Sequence, residues 1–106
     1  MQEKFFVEIK DYEFSPALLN DIKEVNFVKG RWPLVYVLHD EDAKVAYIGE
    51  TTDAIARMSA HLRHTKKRVL KTVKLIMSDR FNKSATLDIE SSLIRYMSGD
   101  GKYSLL

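Results

Sequence analysis

The stretch Leu34-Val35-Tyr36-Val37-Leu38-His39-Asp40-Glu41-Asp42-Ala43-Lys44-Val45-Ala46-Tyr47-Ile48-Gly49 decides the architecture of this chain. Residues 34–38 and 45–48 are rich in β-branched and aromatic side chains, and the polar run 40–44 between them reads as a hairpin loop. Two adjacent antiparallel strands are expected, each carrying a tyrosine. The loop contains no glycine and does not dictate a register. A slip of one residue would turn Tyr36 and Tyr47 to opposite faces.

Upstream, residues 5–10 alternate, with Phe5, Val7 and Ile9 on one side, as in a half-exposed strand. Ser15-Pro16 is expected to open a helix with the stripe Leu18, Leu19, Ile22 and Val25, ending near Lys29-Gly30. Downstream of Gly49, Thr51-Thr52-Asp53 offers acceptors to cap a helix that runs to about His64. Ile55, Met58 and Leu62 share one face of it, while Arg57, His61 and His64 gather on another. Residues 84–97 read as a further helix with Asp88, Ser91, Ser92 and Arg95 on one side. Thr86, Ile89, Leu93, Ile94, Tyr96 and Met97 fall on the other, and Glu90 projects into the middle of that apolar half.

The length of 106 residues suits one domain, 1–106, with no internal repeat or linker. An N-terminal strand and helix, 1–32, would extend a core at 33–106. The fold class expected is α+β, a small central antiparallel sheet flanked by helices. With 45% apolar and 30% charged residues the composition is that of an ordinary globular domain, and zero cysteines exclude disulfides and thiolate zinc sites. Neither a signal peptide nor an apolar run long enough to span a bilayer is visible, so a cytoplasmic location and no membrane partner are expected.

The net charge of +2 hides a segregation. Residues 54–78 hold Arg57, Arg63, Lys66, Lys67, Arg68, Lys71 and Lys74, two histidines and no acid, which leaves the rest of the chain acidic. Such a field on one face attracts a polyanion, and nucleic acid is the partner it suggests. An ordinary basic turn at Lys66-Lys67-Arg68 is the alternative.

Tyrosine, arginine, histidine and glutamate together supply a proton acceptor, a phosphate clamp, a second titrating group and a metal ligand. Each has a plain counterpart. Tyr36 and Tyr47 could be core aromatics, Arg57 and His61 an exposed i, i+4 pair, and Glu90 the partner of Arg57 in a buried ion pair. A lone carboxylate at Glu90 would otherwise suit Mg²⁺, which keeps most of its waters.

In order and spacing, Leu34-Val35-Tyr36, Tyr47-Ile48-Gly49, Arg57, His61 and Glu90 resemble the GIY-YIG nuclease domain over residues 33–106. That resemblance implies a Mg²⁺-dependent (or Mn²⁺-dependent) endonuclease acting on DNA. In it Glu90 holds the metal, Arg57 neutralises phosphoryl charge, Tyr36 is the favoured base or water-orienting group assisted by Tyr47, and His61 is a second base candidate. Arg63, Lys66, Lys67, Arg68 and Lys71 would contact nucleic acid. Residues 49–53, 81–84 and 100–106 also look like the front part of larger bacterial proteins that continue into a P-loop ATPase or helicase-like region. Two departures stand out: the first motif reads Leu-Val-Tyr, and the late asparagine of the family is absent, as in a domain truncated at its C-terminus. A catalytically inactive nucleic-acid-binding module of an ATP-driven DNA-processing protein is the second expectation.

Overall fold

The computed structural model describes residues 7–106. In chain order its elements are β1 (Glu8–Glu13), α1 (Leu18–Ile22), α2 (Asn26–Lys29), β2 (Leu34–Asp40), β3 (Val45–Thr51), α3 (Ala54–Arg63), β4 (Thr72–Met77), α4 (Lys83–Asp100) and β5 (Ser104–Leu105). The strands form one sheet in the order β1-β4-β2-β3-β5. All neighbours are antiparallel except β3 and β5, so the sheet expected to be antiparallel is mixed at one edge.

The hairpin forms with a register that pairs Tyr36 with Gly49 and Leu38 with Tyr47. Residues directly opposite share a face, so both tyrosines lie on the same side of the sheet. The loop does without glycine because Asp40 Oδ1 accepts from the backbone N–H groups of Asp42 and Ala43 at 3.0 and 3.3 Å. Lys44 then takes the left-handed conformation, at φ 54°.

Helices cover both faces. Leu34, Tyr36 and Leu38 of β2, with Val73, Leu75 and Met77 of β4, pack against Leu18 and Ile22 of α1, Val28 of α2, and Ala54 and Met58 of α3. On the opposite face Val35, Val37 and Ile48 meet Ile89, Leu93 and Met97 of α4. The result is the α+β class read from sequence, with a sheet between two helical layers.

Three expectations are corrected. β1 runs on to Glu13, past the alternation at residues 5–10; Phe5 lies outside the described residues, and Ile9 is 57% exposed because α4 does not reach across β1. The expected helix from Ser15-Pro16 to Lys29-Gly30 is broken into α1 and α2, with Val25 extended between them. Ser15 contributes its carbonyl to the Leu18 N–H rather than a side-chain cap. β4 was hidden inside the basic run, although Val73, Leu75 and Met77 alternate inward.

β5 pairs with β3 only at Val45 and Ala46. The Ala46 carbonyl points to that side, accepting from Leu106 N–H at 2.9 Å. By the parity of an antiparallel strand, Glu50 directs its backbone groups outward as well, away from β2. Among the described residues, no helix is long and apolar enough to cross a membrane.

Candidate active site

α3 is capped by Asp53, whose Oδ1 accepts from Ala56 N–H at 3.1 Å, and Thr51 Oγ1 accepts from Asp53 N–H at 2.9 Å. This pins α3 directly behind β3 and sends Ala54, Met58 and His61 into the core. His61 is therefore not on an exposed face beside Arg57; it is 5% exposed, while Arg57 stays at the surface. The sheet receives a stripe at 54, 58 and 61, and Ile55 and Leu62 are only partly covered. His61 Nε2 lies 2.7 Å from the hydroxyl of Tyr36, which is itself 1% exposed. Tyr47 completes the cluster, its ring centroid 5.0 Å from that of His61 and 6.2 Å from that of Tyr36.

Burial, followed by the neighbouring Tyr47, pushes the Tyr36 phenol well above its ordinary range. Burial also lowers His61, to about 4, with Lys67, Arg57 and His64 adding repulsion. Both groups are neutral at pH 7, and one hydrogen bond consumes the Nε2 of His61. The Tyr36–His61 pair is thus a buried hydrogen bond between two neutral groups. Tyr47 is half-buried, with Lys67 Nζ 3.8 Å above its ring centroid.

Glu90 comes from the other side of the sheet. α4 starts at Asn82, whose Oδ1 accepts from Ala85 N–H at 2.8 Å, and it ends at Gly101 in the left-handed conformation, φ 72°. Its inner stripe is Thr86, Ile89, Leu93 and Met97, and Glu90 sits half-buried beside it. Burial, then the Glu50 carboxylate, raises the Glu90 pKa; Lys83, the Glu50 backbone N–H and Arg57 oppose the rise. Among the described residues no ion pair within 4.0 Å joins Glu90 to Arg57, so Glu90 is not the buried partner of that arginine. Glu50 is the closer neighbour. Its side chain is 12% exposed, with both oxygens on Lys83 Nζ at 2.6 and 2.7 Å and Thr86 Oγ1 at 3.4 Å.

The five residues singled out in the sequence therefore arrive from two layers. Tyr36, Tyr47 and His61 lie on the α3 face, Glu90 on the α4 face, and Arg57 at the start of α3. Tyr36 and Glu90 both lie within electrostatic reach of Arg57, and the Glu50 N–H faces Glu90. A cleft of about 190 Å³ lined by Thr51, Asp53, Ala56, Arg57 and Ala60 opens on the α3 side. Larger depressions, of about 410 and 490 Å³, lie against β1 and against α1 and α2 and include none of the five.

No protein family, curated protein or solved structure matched this chain.

Among the described residues, no cluster of three or more His, Cys, Asp or Glu side chains could hold a metal. A divalent cation here would rest on Glu90, a carboxylate donor of the hard-oxygen kind that Mg²⁺ and Mn²⁺ accept, with water and substrate oxygens completing the shell. The basic residues divide. Arg63, Lys66 and Arg68 are exposed on the end of α3 and the turn after it, which His64 orders by accepting from Lys66 and Lys67 N–H at 3.2 and 3.4 Å. Lys67 leans over Tyr47, and Lys71 is 3.6 Å from Asp42 at the hairpin loop. Glu50 and Lys83 were not foreseen. The available signal was a charge directly after the buried Ile48-Gly49, on the strand face that carries Ile48.

Proposed function

We propose that this chain is a Mg²⁺- or Mn²⁺-dependent endonuclease module that hydrolyses phosphodiester bonds in DNA. The observation that carries the reading is that Arg57 acts on both the Glu90 carboxyl group and the Tyr36 phenol, which is packed against Tyr47 and bonded to His61. Arg57 binds a phosphate and offsets charge that builds on its oxygens, as a planar guanidinium fork does. Tyr47, half-open and held by the Tyr36–His61 pair behind it, orients the attacking water. Glu90 provides the carboxylate for the cation, which when bound supplies Lewis-acid stabilisation of the phosphate and leaving oxygen. The basic turn tracks the backbone without reading bases. A nicking assay on supercoiled plasmid with Mg²⁺ or Mn²⁺ tests this. Cleavage that disappears in Glu90→Gln supports it, and cleavage that survives the substitution refutes it.

A second reading is favoured by one feature, the mutual occupation of Tyr36 by His61 and of Glu50 by Lys83. A site so satisfied internally suits a DNA-binding module without catalysis, part of a larger ATP-driven DNA-processing protein. Salt-sensitive duplex binding with no nicking under either metal selects it.

A further inference from the structure

We infer that Lys83 is a second phosphate-binding cation of this site, held there by Glu50 as a positioning residue; the inference rests on the nuclease reading. Lys83 opens α4 and stands seven residues before Glu90, so the two lie on one helix face, two turns apart. Its ammonium nitrogen is 2.6 and 2.7 Å from the two oxygens of Glu50, a symmetric seat. The partners differ in exposure: the Glu50 side chain is 12% exposed and that of Lys83 59%. An ammonium has three donors, and two directed at Glu50 leave one for solvent or a ligand.

The position completes a pattern of charge. Two cations act on the Glu90 carboxyl group, Arg57 from α3 and Lys83 from its own helix. A phosphodiester beside Glu90 would suffer repulsion from Glu90 and Glu50 unless cations offset it. Arg57 supplies the planar clamp. Lys83, a compact charge on a flexible stem, supplies the second charge. Thr86, wholly buried, lies behind the carboxylate with its Oγ1 3.4 Å from Glu50, although that hydroxyl is nearer the Lys83 and Asn82 carbonyls at 3.0 and 3.2 Å. A pair whose only task was to tie α4 to β3 would not need its cation at the surface.

The test uses the chain with Lys83→Ala, Lys83→Gln, Lys83→Arg and Glu50→Gln, each checked for folding by circular dichroism. Duplex affinity is measured against salt, and nicking kinetics are measured with Mg²⁺. Lys83→Ala and Lys83→Gln are expected to lower the slope of log K against log salt by about 0.9, the loss of one phosphate contact. They should also reduce kcat/KM by about 10-fold or more, through KM first; Lys83→Arg recovers both. Glu50→Gln keeps the slope, because the cation remains, but lowers kcat because it is no longer held. Lys29→Ala, on α2 and paired with Glu24 at 2.9 Å, leaves both unchanged. An unaltered slope and unaltered cleavage in Lys83→Ala overturn the inference while the nuclease reading stands. An unsubstituted chain that neither binds nor cuts DNA overturns both.

Discussion

Tyr36 and Gly49 stand opposite each other in the β2–β3 ladder, and the phenol of Tyr36 fills the space that a side chain at position 49 would need. A Cβ built there collides with the ring and with the hydroxyl, so the glycine is what lets Tyr36 reach His61. Gly49→Ala is expected to cost about 1–3 kcal/mol by overpacking. Urea unfolding measures it. In a Tyr36→Leu background the same alanine should cost less, a coupling that a double-mutant cycle reads directly.

Tyr36→Phe removes the hydroxyl but keeps the ring over Gly49. His61 Nε2 is left buried without its partner, a loss of about 1–3 kcal/mol. Because Tyr47 rather than Tyr36 meets solvent, Tyr47→Phe should impair nicking more than Tyr36→Phe when both are assayed well below their melting temperatures. The reverse order would return the water-orienting role to Tyr36.

His61 titrates near 4 in the folded chain against about 6.5 unfolded. Between these values the unfolded state binds more protons, so stability rises with pH across the window and is lost as pH falls from about 6.5 toward 4. The linked change is up to about 3 kcal/mol. Comparing denaturation midpoints at pH 7 and pH 4.5 for the native chain and for His61→Gln isolates it. The substituted chain should show a shallower decline.

Glu90 shifts the other way. Its folded pKa is raised, so the folded state holds the proton more tightly and ionisation above the unfolded value of about 4.5 works against folding. Glu90→Gln should consequently be no less stable than the native chain at pH 7 while losing metal-dependent cleavage. Thermal melts and nicking assays on one preparation check both halves.

The hairpin was legible because residues 34–38 and 45–48 are β-formers on either side of a polar run. Its register was not, since a carboxylate at Asp40 and a left-handed Lys44 do what Asn-Gly would have announced. β4 is less legible because Lys71 and Lys74 set positive charge beside and within the inward alternation of Val73, Leu75 and Met77. The helical wheel put His61 with Arg57 because it counted Ile55, Met58 and Leu62 as the inward stripe. Docking tilts α3 so that Ala54, Met58 and His61 face the sheet, a choice made by tertiary packing. Motif spacing named Tyr36, Tyr47, Arg57, His61 and Glu90, but could not say that they approach from two layers, nor that Glu50 and Lys83 stand beside Glu90.

The two helix caps offer a further check. Asp53 and Asn82 each satisfy a first-turn N–H, and replacing either with alanine should cost about 1 kcal/mol. The two losses should add, since the caps serve helices on opposite faces of the sheet. A double mutant markedly worse than the sum would mean that both helices share one support.

With the aromatic trio on one side and the glutamates on the other, the sheet acts as a partition wall between two workshops. Repacking under α4 can move Glu90 while the phenols keep their packing, and repacking under α3 can shift the phenols while the carboxylates keep theirs, the two sides being linked only through charge. On the proposed nuclease reading, selection or an engineer would therefore tune the carboxylates and the aromatic cluster largely by separate sets of substitutions, with β3 the one shared fixture on which both depend.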